Sequence, residues 1–546
     1  MNDGAYGSSI GQSRFGRRGF MMGLSAGAAL AGSSTLLAAC SSDAVPNSSS
    51  SGEDPFGAYA ATKPTPSAGG TLRIGYIGAG NAETYNPFVQ PAPISQLQTF
   101  AVFDPMIRVG ESGGREPGLI VDWQSNRDAS EWELTLRPDV TWHDGKPFTP
   151  EDVIYSLRQL KESWVSAAVE SVKLDELRKT GQYTLRVPLS APVADLPGFF
   201  FFAPTTFIVQ DGTTDYSKPI GTGPYKLESF SPGQRSTFSA NRDYWDSPRP
   251  YPDELEIIGI TDPTARLNAL IGGEIDICGQ LPFAMAKANL DSSEYKVIVG
   301  SPGQQYVMYM RCDAEPFQDP RVRQAMKLIP DRQAMIDAAL SGFGAVANDI
   351  FCLPGSKYFN KSLPQRTQDL AQAKALLKAA GVPNLEVTLN TAESVTGFNA
   401  AAEVFSQHAK EAGVTVHVNV QQPAQYFDPS VLYLKQTFAQ DIWPGPSLVN
   451  NYSLAFLKDS ILNESHYFND DFDELFARAR AEKDPREAQK LWDQVQEIQY
   501  NDGGNIGWAY ARNVDAVSNN VRGFGGKGQG WLYQTDDCRV YNWGLA

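Results

Sequence analysis

The sequence is poor in histidine, cysteine and positive charge, and each shortage excludes a class of function. Only 4 histidines and 5 cysteines occur among 546 residues, and the cysteines form no C-x-x-C pair, so no His-rich or zinc-type metal site and no cofactor is indicated. The 46 basic residues are outnumbered by 62 acidic residues, which gives a net charge of −16. Because binding to nucleic acid needs a basic surface, this charge argues against a nucleic-acid partner.

The chain is too long for one hydrophobic core, because single domains usually contain roughly 100–200 residues. Hydrophobic residues make up 42% of the sequence and charged residues 20%, which is typical of a folded protein and unlike a disordered chain. No internal repeat, heptad array or long block of like charge interrupts this composition. We therefore expect a globular protein with two or three domains.

The first forty residues have the order of an export signal, with arginines followed by an apolar stretch and then by small residues before a cysteine. Arg17 and Arg18 resemble a twin-arginine signal, and the run Leu-Ala-Ala-Cys that ends at Cys40 resembles a bacterial lipobox. Together these features imply that residues 1–39 are a signal peptide and that Cys40 is the lipidation site. A membrane helix that is retained in the mature protein is the alternative.

The composition changes twice after this segment. Residues 40–70 are rich in serine, proline and glycine, which is typical of a flexible tether. From residue 71, short strands alternate with capped helices. Residues 132–136 have the period of a strand, and Asp-Pro pairs at 319–320 and 484–485 predict helix starts. The body is therefore expected to belong to the α/β class.

Four cysteines follow Cys40, and the export signal places them in an oxidising environment. Their spacing resembles no metal-binding or redox motif. We expect a disulfide between Cys312 and Cys352, which both lie in the central part of the chain. Buried free thiols are the alternative.

Residues 131–153, with the run Trp-His-Asp-Gly-Lys-Pro-Phe at 142–148, closely resemble the signature of the extracellular solute-binding protein family 5. This family contains the peptide, nickel and related receptors of ABC importers. The signature predicts a strand, a turn at Asp144-Gly145 and a capped helix that starts at Pro150. Further landmarks follow in the expected order along almost the whole chain: Asn86-Pro87, Pro219 to Tyr225, Asn241, Tyr244-Trp245, Pro316-Phe317, Asp319 to Ala325 and Phe472 to Leu475.

The resemblance implies a two-lobed α/β fold of the periplasmic-binding-protein type, class II or cluster C. In such a fold a hinge joins the lobes, and the ligand closes the cleft between them. By this resemblance lobe I comprises residues 71–265 and 515–546, and lobe II comprises residues 266–514. We expect the chain to cross between the lobes near residues 261–263.

The resemblance also implies a binding residue in lobe II. In peptide-binding members an Asp receives the α-ammonium group of the ligand, and Asp441 falls at that position. A buried ammonium needs such a charge partner. Phe438 and the residues after Trp443 depart from the pattern of the peptide binders, and a structural Asp that caps the loop is the alternative. Trp443 is expected either to form a wall of the ligand site or to pack under the following proline.

Five other residues are candidates for the ligand cleft. Tyr85 and Asn86 end the first strand on the side of the presumed cleft, although an Asn before a proline is also typical of a turn. Tyr306 is expected either in the cleft or in the core. Phe398 and Asn399 occupy the region where members of the family touch the far end of a ligand.

These features predict a lipid-anchored receptor on the outer face of the cytoplasmic membrane. It would capture a short peptide or another small solute and hand it to an ABC permease and its ATPase. A receptor of the same fold that senses its ligand without transport is the first alternative. A secreted hydrolase is the second. The G-x-S-x-G match at 23–27 lies inside the signal peptide, where no nucleophile elbow can form in the mature protein, and we expect no enzyme activity.

Overall fold

The computed structural model describes residues 55–62, 65–89, 92–109, 115–163, 166–198, 206–354, 356–428, 434–443, 448–460, 462–525 and 538–546. The predicted signal peptide, the predicted lipidation site at Cys40 and much of the predicted tether lie outside these residues. Within the described ranges no helix is both long enough and apolar enough to cross a membrane.

The described segments contain nineteen strands and twelve α-helices. The strands β1 to β19 are, in chain order, Thr71–Tyr76, Ile107–Val109, Arg115–Pro117, Ile120–Ser125, Glu131–Leu136, Arg178–Lys179, Thr184–Pro188, Tyr225–Ser231, Arg235–Ala240, Glu254–Gly259, Ile277–Cys278, Tyr295–Met310, Gly344–Val346, Glu386–Thr391, Thr415–Val420, Phe438–Trp443, Asn505–Ser518, Val521–Arg522 and Gly544–Leu545. The helices α1 to α12 are Pro93–Val102, Pro150–Leu160, Pro263–Ile271, Phe283–Ala288, Pro320–Leu328, Arg332–Ala339, Leu370–Ala379, Phe398–Glu411, Pro423–Tyr426, Leu448–Ala455, Asp470–Ala481 and Pro485–Asp502.

An 11-stranded mixed sheet forms the centre of the fold, in the order β15-β14-β16-β12-β17-β11-β1-β10-β9-β8, with β13 also paired to β17. The long strands β12 and β17 are antiparallel neighbours in the middle of this sheet, and their register shifts between Val299 and Pro302 and again between Pro302 and Gln304. A separate four-stranded antiparallel sheet has the order β4-β5-β7-β6. The prediction of an α/β fold is confirmed.

The buried apolar side chains form separate cores towards the two ends of the central sheet. The core of lobe I is built mainly from residues 72–257, with additions from 521–543. Two clusters of buried residues between 306 and 511 form the core of lobe II, one on each face of its part of the sheet. A further cluster packs residues 267–299 against the C-terminal part of β17. Each lobe thus has its own core, as the two-lobed fold requires.

The predicted helix starts are confirmed, and each has a side chain that accepts a backbone N–H. The Thr149 and Asp152 side chains form a capping box at the start of α2, with Pro150 as its first residue. The carboxylate of Asp319 accepts the N–H of Arg321 at 2.8 Å, and that of Asp484 accepts the N–H of Arg486 at 2.9 Å. These contacts satisfy N–H groups that have no partner inside the helix.

His143, within the signature run, holds a glycine-rich loop of lobe I in place. Its Nδ1 accepts the N–H of Gly221 at 3.3 Å, and its Nε2 lies 3.0 Å from the carbonyl oxygen of Gly223. Because a carbonyl only accepts, Nε2 carries the proton and the ring is neutral. Burial, assisted by the charge of Lys226, lowers the pKa of His143 to about 4.

This pKa predicts an acid-sensitive contribution to stability. Between pH 4 and about 6.5 the unfolded chain binds a proton at His143 that the folded protein excludes, so the free energy of unfolding falls as the pH falls. The contribution is up to about 3 kcal/mol at neutral pH. Urea unfolding at pH 7, 5.5 and 4 should show this loss in the wild type and a smaller loss in His143→Gln. Equal losses in both proteins would contradict the assignment.

The predicted disulfide is absent from the structure, in which Cys312 and Cys352 are both free thiols. The sulfur of Cys312 lies 3.7 Å from the carbonyl oxygen of Met310, next to β12, whereas that of Cys352 lies 3.9 Å from the carbonyl of Leu353 in a fully buried position. The two sulfurs therefore face different backbone groups instead of each other. The alternative of free thiols describes this structure.

Part of the predicted tether is attached to the folded body. The ring of Phe56 stacks on Phe343 with centroids 4.8 Å apart, and the Tyr59 hydroxyl donates to Asp291 at 2.8 Å. Further along, Ala61 forms a bridge with Gly525, and Ser67 with Leu545. Flexibility therefore remains a prediction only for residues 40–54.

Candidate functional site between the lobes

Strand β16 carries the predicted binding residues Asp441 and Trp443 into the interior of lobe II. Five of its six residues are buried, and it pairs with β12 so that Asp441 lies opposite Val307 and Trp443 opposite Gln305. The side chain of Gln440 donates to the Thr391 hydroxyl at 2.7 Å on one face of the sheet. Because side chains alternate along a strand, Asp441 points to the opposite face.

Asp441 is 4% exposed and shares its region with a second buried carboxylate, that of Glu464. One Asp441 oxygen accepts the N–H of Ile442 at 2.7 Å. Burial raises the pKa of the Tyr309 hydroxyl, and the carboxylates of Glu464 and Asp441 raise it further. Burial and the same two carboxylates also raise the pKa of the Tyr426 hydroxyl. A pair of acids near two phenols inside the protein is an environment that favours a positively charged group.

Trp443 packs in the core of lobe II. Its indole N–H donates to Glu464 at 3.0 Å, and its ring lies 5.5 Å from that of Phe351. The side chain thus links the buried acid to the aromatic cluster beneath β16. Trp443 is therefore a packed residue of this cluster, whereas Pro444, under which it was expected to pack as one alternative, lies outside the described residues.

Tyr306, Phe398 and Asn399 come together, but on the other face of the lobe II sheet. The Tyr306 ring lies 5.6 Å from Phe398 and 5.3 Å from Trp508, and its hydroxyl donates to the carbonyl oxygen of Thr396 at 3.3 Å. Asn399 accepts a hydrogen bond from the Thr391 hydroxyl at 3.1 Å. Tyr306 and Phe398 belong to the core cluster that holds Phe438, and the half-buried Asn399 lies beside Phe398 at the start of α8, so the three lie on the face opposite to Asp441.

Tyr85 and Asn86 lie in lobe I beyond the first strand, which already ends at Tyr76, so the prediction that they end this strand is wrong. The Tyr85 ring is buried edge-on between Phe230, at 5.0 Å, and Phe238, at 6.5 Å. The Asn86 side chain accepts the N–H of Phe88 at 3.0 Å, which makes the turn that was the alternative for this residue. Tyr85 therefore makes packing contacts, and Asn86 stabilises a turn.

Helix α10 is a feature that the sequence analysis missed. It begins at Leu448, and its Val449 packs against the core clusters of both lobes. Three polar residues of α10 are buried, namely Asn450, Asn451 and Ser453. Buried amides and hydroxyls on a helix between two bodies are suited to contact a polar molecule there. The signal in the sequence is the group Asn450, Asn451 and Ser453 among the apolar residues of this short helix.

A groove of about 750 Å³ opens beside α10 and is lined by both lobes. Lobe I contributes charged side chains of both signs, including Arg158, Lys173 and Glu176, and lobe II contributes Ser453 and Asp459. In the part of the chain that the structure covers, no group of three or more His, Cys, Asp or Glu could hold a metal ion. This groove between the lobes is therefore built from both halves of the molecule and combines charged with apolar side chains.

Comparison with known proteins agrees with this architecture. The chain is 28% identical over 314 residues to the nickel-binding periplasmic protein of Escherichia coli, a match that covers 55% of this chain and 59% of that protein. It is 26% identical over 429 residues to the glutathione-binding protein GsiB of Pectobacterium atrosepticum, covering 74% of this chain and 82% of that protein.

Solved structures show the same fold. The periplasmic binding protein DppA of Helicobacter pylori, in complex with the peptide STSA, superposes with a TM-score of 0.74 at 21% identity, over 88% of this chain and 98% of that protein. The family model described as bacterial extracellular solute-binding proteins, family 5 Middle, matches residues 115–460, more than half of the chain. The chain therefore belongs to the bacterial extracellular solute-binding proteins of family 5.

Proposed function

We propose that this protein captures a short peptide or another small solute between lobes I and II and delivers it to an ABC permease and its ATPase. The observation that carries the proposal is the groove with charged side chains between two lobes that each have their own core. The names of the relatives, which bind nickel, glutathione and peptides, support a small polar ligand. The protein acts as a receptor, and binding rather than bond cleavage is its task.

Closure would take place about the two long strands of the central sheet. Residues 295–299 of β12 pair with residues 514–518 of β17 beside the lobe I strands, and the register shifts follow between Val299 and Gln304. β11 also pairs with β1 of lobe I. We therefore propose that the lobes join near residues 300–304 and 511–513, later in the chain than residues 261–263. Irregular strand pairing at these points allows bending with little loss of hydrogen bonds.

The ligand is proposed to carry a positively charged amino group that pairs with Asp441. The second carboxylate, Glu464, strengthens the negative potential in the same buried region. Asn450 and Asn451 on α10 would contact the uncharged part of the ligand. Trp443 supports the site by holding Glu464, and Tyr306, Phe398, Asn399, Tyr85 and Asn86 support it through the packing described above.

The protein is proposed to work at the outer face of the cytoplasmic membrane, held by lipid on Cys40 after removal of residues 1–39. Removing three arginines and one aspartate with that segment leaves 43 basic and 61 acidic residues, a net charge of −18. Because such a charge is repelled by anionic lipids, the anchor has to be the lipid. Cys40→Ser should release the protein from the membrane fraction, and unchanged fractionation would contradict the anchor.

A thermal-shift screen tests the binding function. Peptides, polyamines, sugars and metal chelates are compared, and a matching ligand at 100 times its dissociation constant should raise the free energy of unfolding by about 2.7 kcal/mol. We expect ligands with a free amino group to give the shift and their N-acetylated forms to give little. A shift produced only by ligands without a positive charge would disprove the role of Asp441.

A further inference from the structure

The C-terminal end of α11 reaches from lobe II to lobe I. The Lys483 ammonium group donates to the Ser125 hydroxyl and to the carbonyl oxygen of Asn126, both at 2.9 Å. The backbone N–H of Ala194 donates to the carbonyl oxygen of Arg480, also at 2.9 Å. Ser125, Asn126 and Ala194 lie at the edge of the four-stranded sheet of lobe I. Three direct hydrogen bonds therefore cross between the lobes at this place.

The chemistry of these bonds explains why lobe I is a suitable partner. Arg480 is in the last turn of α11, where the backbone carbonyl oxygens accept no N–H from the helix itself. Such a carbonyl needs a donor from outside the helix. Lobe I supplies this donor through Ala194. Lys483, just past the helix end, places its positive charge on a carbonyl and a hydroxyl at the end of β4. Charge-assisted hydrogen bonds of this kind are stronger than those between neutral groups.

Neighbouring charges reinforce the same contact. Burial lowers the pKa of the Arg480 guanidinium, and the carboxylate of Glu170 in lobe I acts against this effect. Asp195, next to Ala194, forms an ion pair with Arg115. The charge of Arg115, together with that of Lys357 in lobe II, lowers the pKa of the Asp195 carboxyl group. None of these residues belongs to β16 or α10, so the contact is separate from the elements proposed to hold the ligand.

We propose that Lys483, Arg480, Ser125, Asn126 and Ala194 form a closure latch that stabilises the closed arrangement of the lobes without ligand. The proposal rests on the proposed function, because it assumes that the lobes open and close. A receptor binds its ligand more weakly when only a fraction of the molecules is closed, and the latch raises that fraction. Lys483 is thus a positioning residue that sets the apparent affinity without touching the ligand.

The test uses the ligand-free full chain. Lys483→Ala removes two of the three hydrogen bonds and should lower the ratio of closed to open molecules about three- to tenfold. Hydrogen exchange measured by mass spectrometry should then be faster by the same factor in the peptide that contains Ala194. Small-angle X-ray scattering should show a larger radius of gyration. The control is Lys490→Ala, because Lys490 pairs only with exposed Glu487 on α12 among the contacts described.

Two results would overturn the latch. One is an exchange rate and a radius of gyration in Lys483→Ala that equal those of the wild type and of the control. The other is faster exchange at Ala194 with an unchanged radius, which would make the contact a local one. Because no ligand is added, a failure of the latch in this test is distinguishable from a failure of the solute-binding function, which the ligand screen tests.

Discussion

Asp441→Asn is expected to weaken binding of an amine-bearing ligand by about 3–5 kcal/mol, which corresponds to roughly 150- to 4,000-fold in affinity. The substitution keeps the shape of the side chain but removes the charge that we propose pairs with the ligand's ammonium group. Since Asp441 is buried, water does not replace the lost partner. Isothermal titration with a peptide taken from the thermal-shift screen gives the affinity directly.

The ligand itself provides a second comparison for Asp441. The wild type should prefer a peptide with a free amino terminus to its N-acetylated form, whereas Asp441→Asn should bind the two forms equally. Asp470→Asn is the control, because Asp470 is a lobe II acid whose side chain is 84% exposed and pairs with Lys458. If Asp441→Asn keeps the preference of the wild type, Asp441 has the structural role that was its alternative.

Asp349→Asn is expected to lower the free energy of unfolding by about 3–5 kcal/mol, because it leaves buried cations without their partner. The Asp349 side chain is fully buried, accepts from Arg332 at 2.7 Å and from the N–H of Gly507 at 2.9 Å, and lies 2.6 Å from the Nε of Arg366. The carboxylate therefore joins α6 to β17, one of the two long strands about which we propose that the lobes close.

Urea unfolding measures this loss, and Asp470→Asn again serves as the control. An exposed ion pair contributes only about 0–1 kcal/mol, so the control should unfold close to the wild type. A small loss in Asp349→Asn would mean that the two arginines find other acceptors or water after the substitution, and that the network is not a main support of lobe II.

The parts of the fold that the sequence predicted are those set by local chemistry. The helix starts at Pro150, Pro320 and Pro485 follow from a capping side chain before a proline, and the structure has all three. The strand at 131–136 follows from alternation of apolar residues. Because such signals depend on only a few neighbouring residues, the fold of the rest of the chain does not change them.

The arrangement of the candidate site could not be predicted from the sequence, because it depends on pairing between strands that are far apart in the chain. Asp441 and Tyr306 lie on neighbouring strands, yet the register of β12 and β16 puts their side chains on opposite faces. The same dependence on distant contacts explains why the disulfide prediction failed, since Cys312 and Cys352 both lie in the central part of the chain but their sulfurs face different backbone groups. Contacts between the lobes, such as those of Lys483 and α10, arise only after both lobes are folded.

Native mass spectrometry of the freshly purified protein tests the central claim most directly, because a closed receptor retains its solute when it is isolated. We expect a population with the mass of the chain plus one bound molecule of the size of a short peptide or another small solute. Collisional activation should release that molecule and identify it. A bare-chain mass in every preparation, also after incubation with the peptides, polyamines, sugars and metal chelates of the screen, would contradict the account.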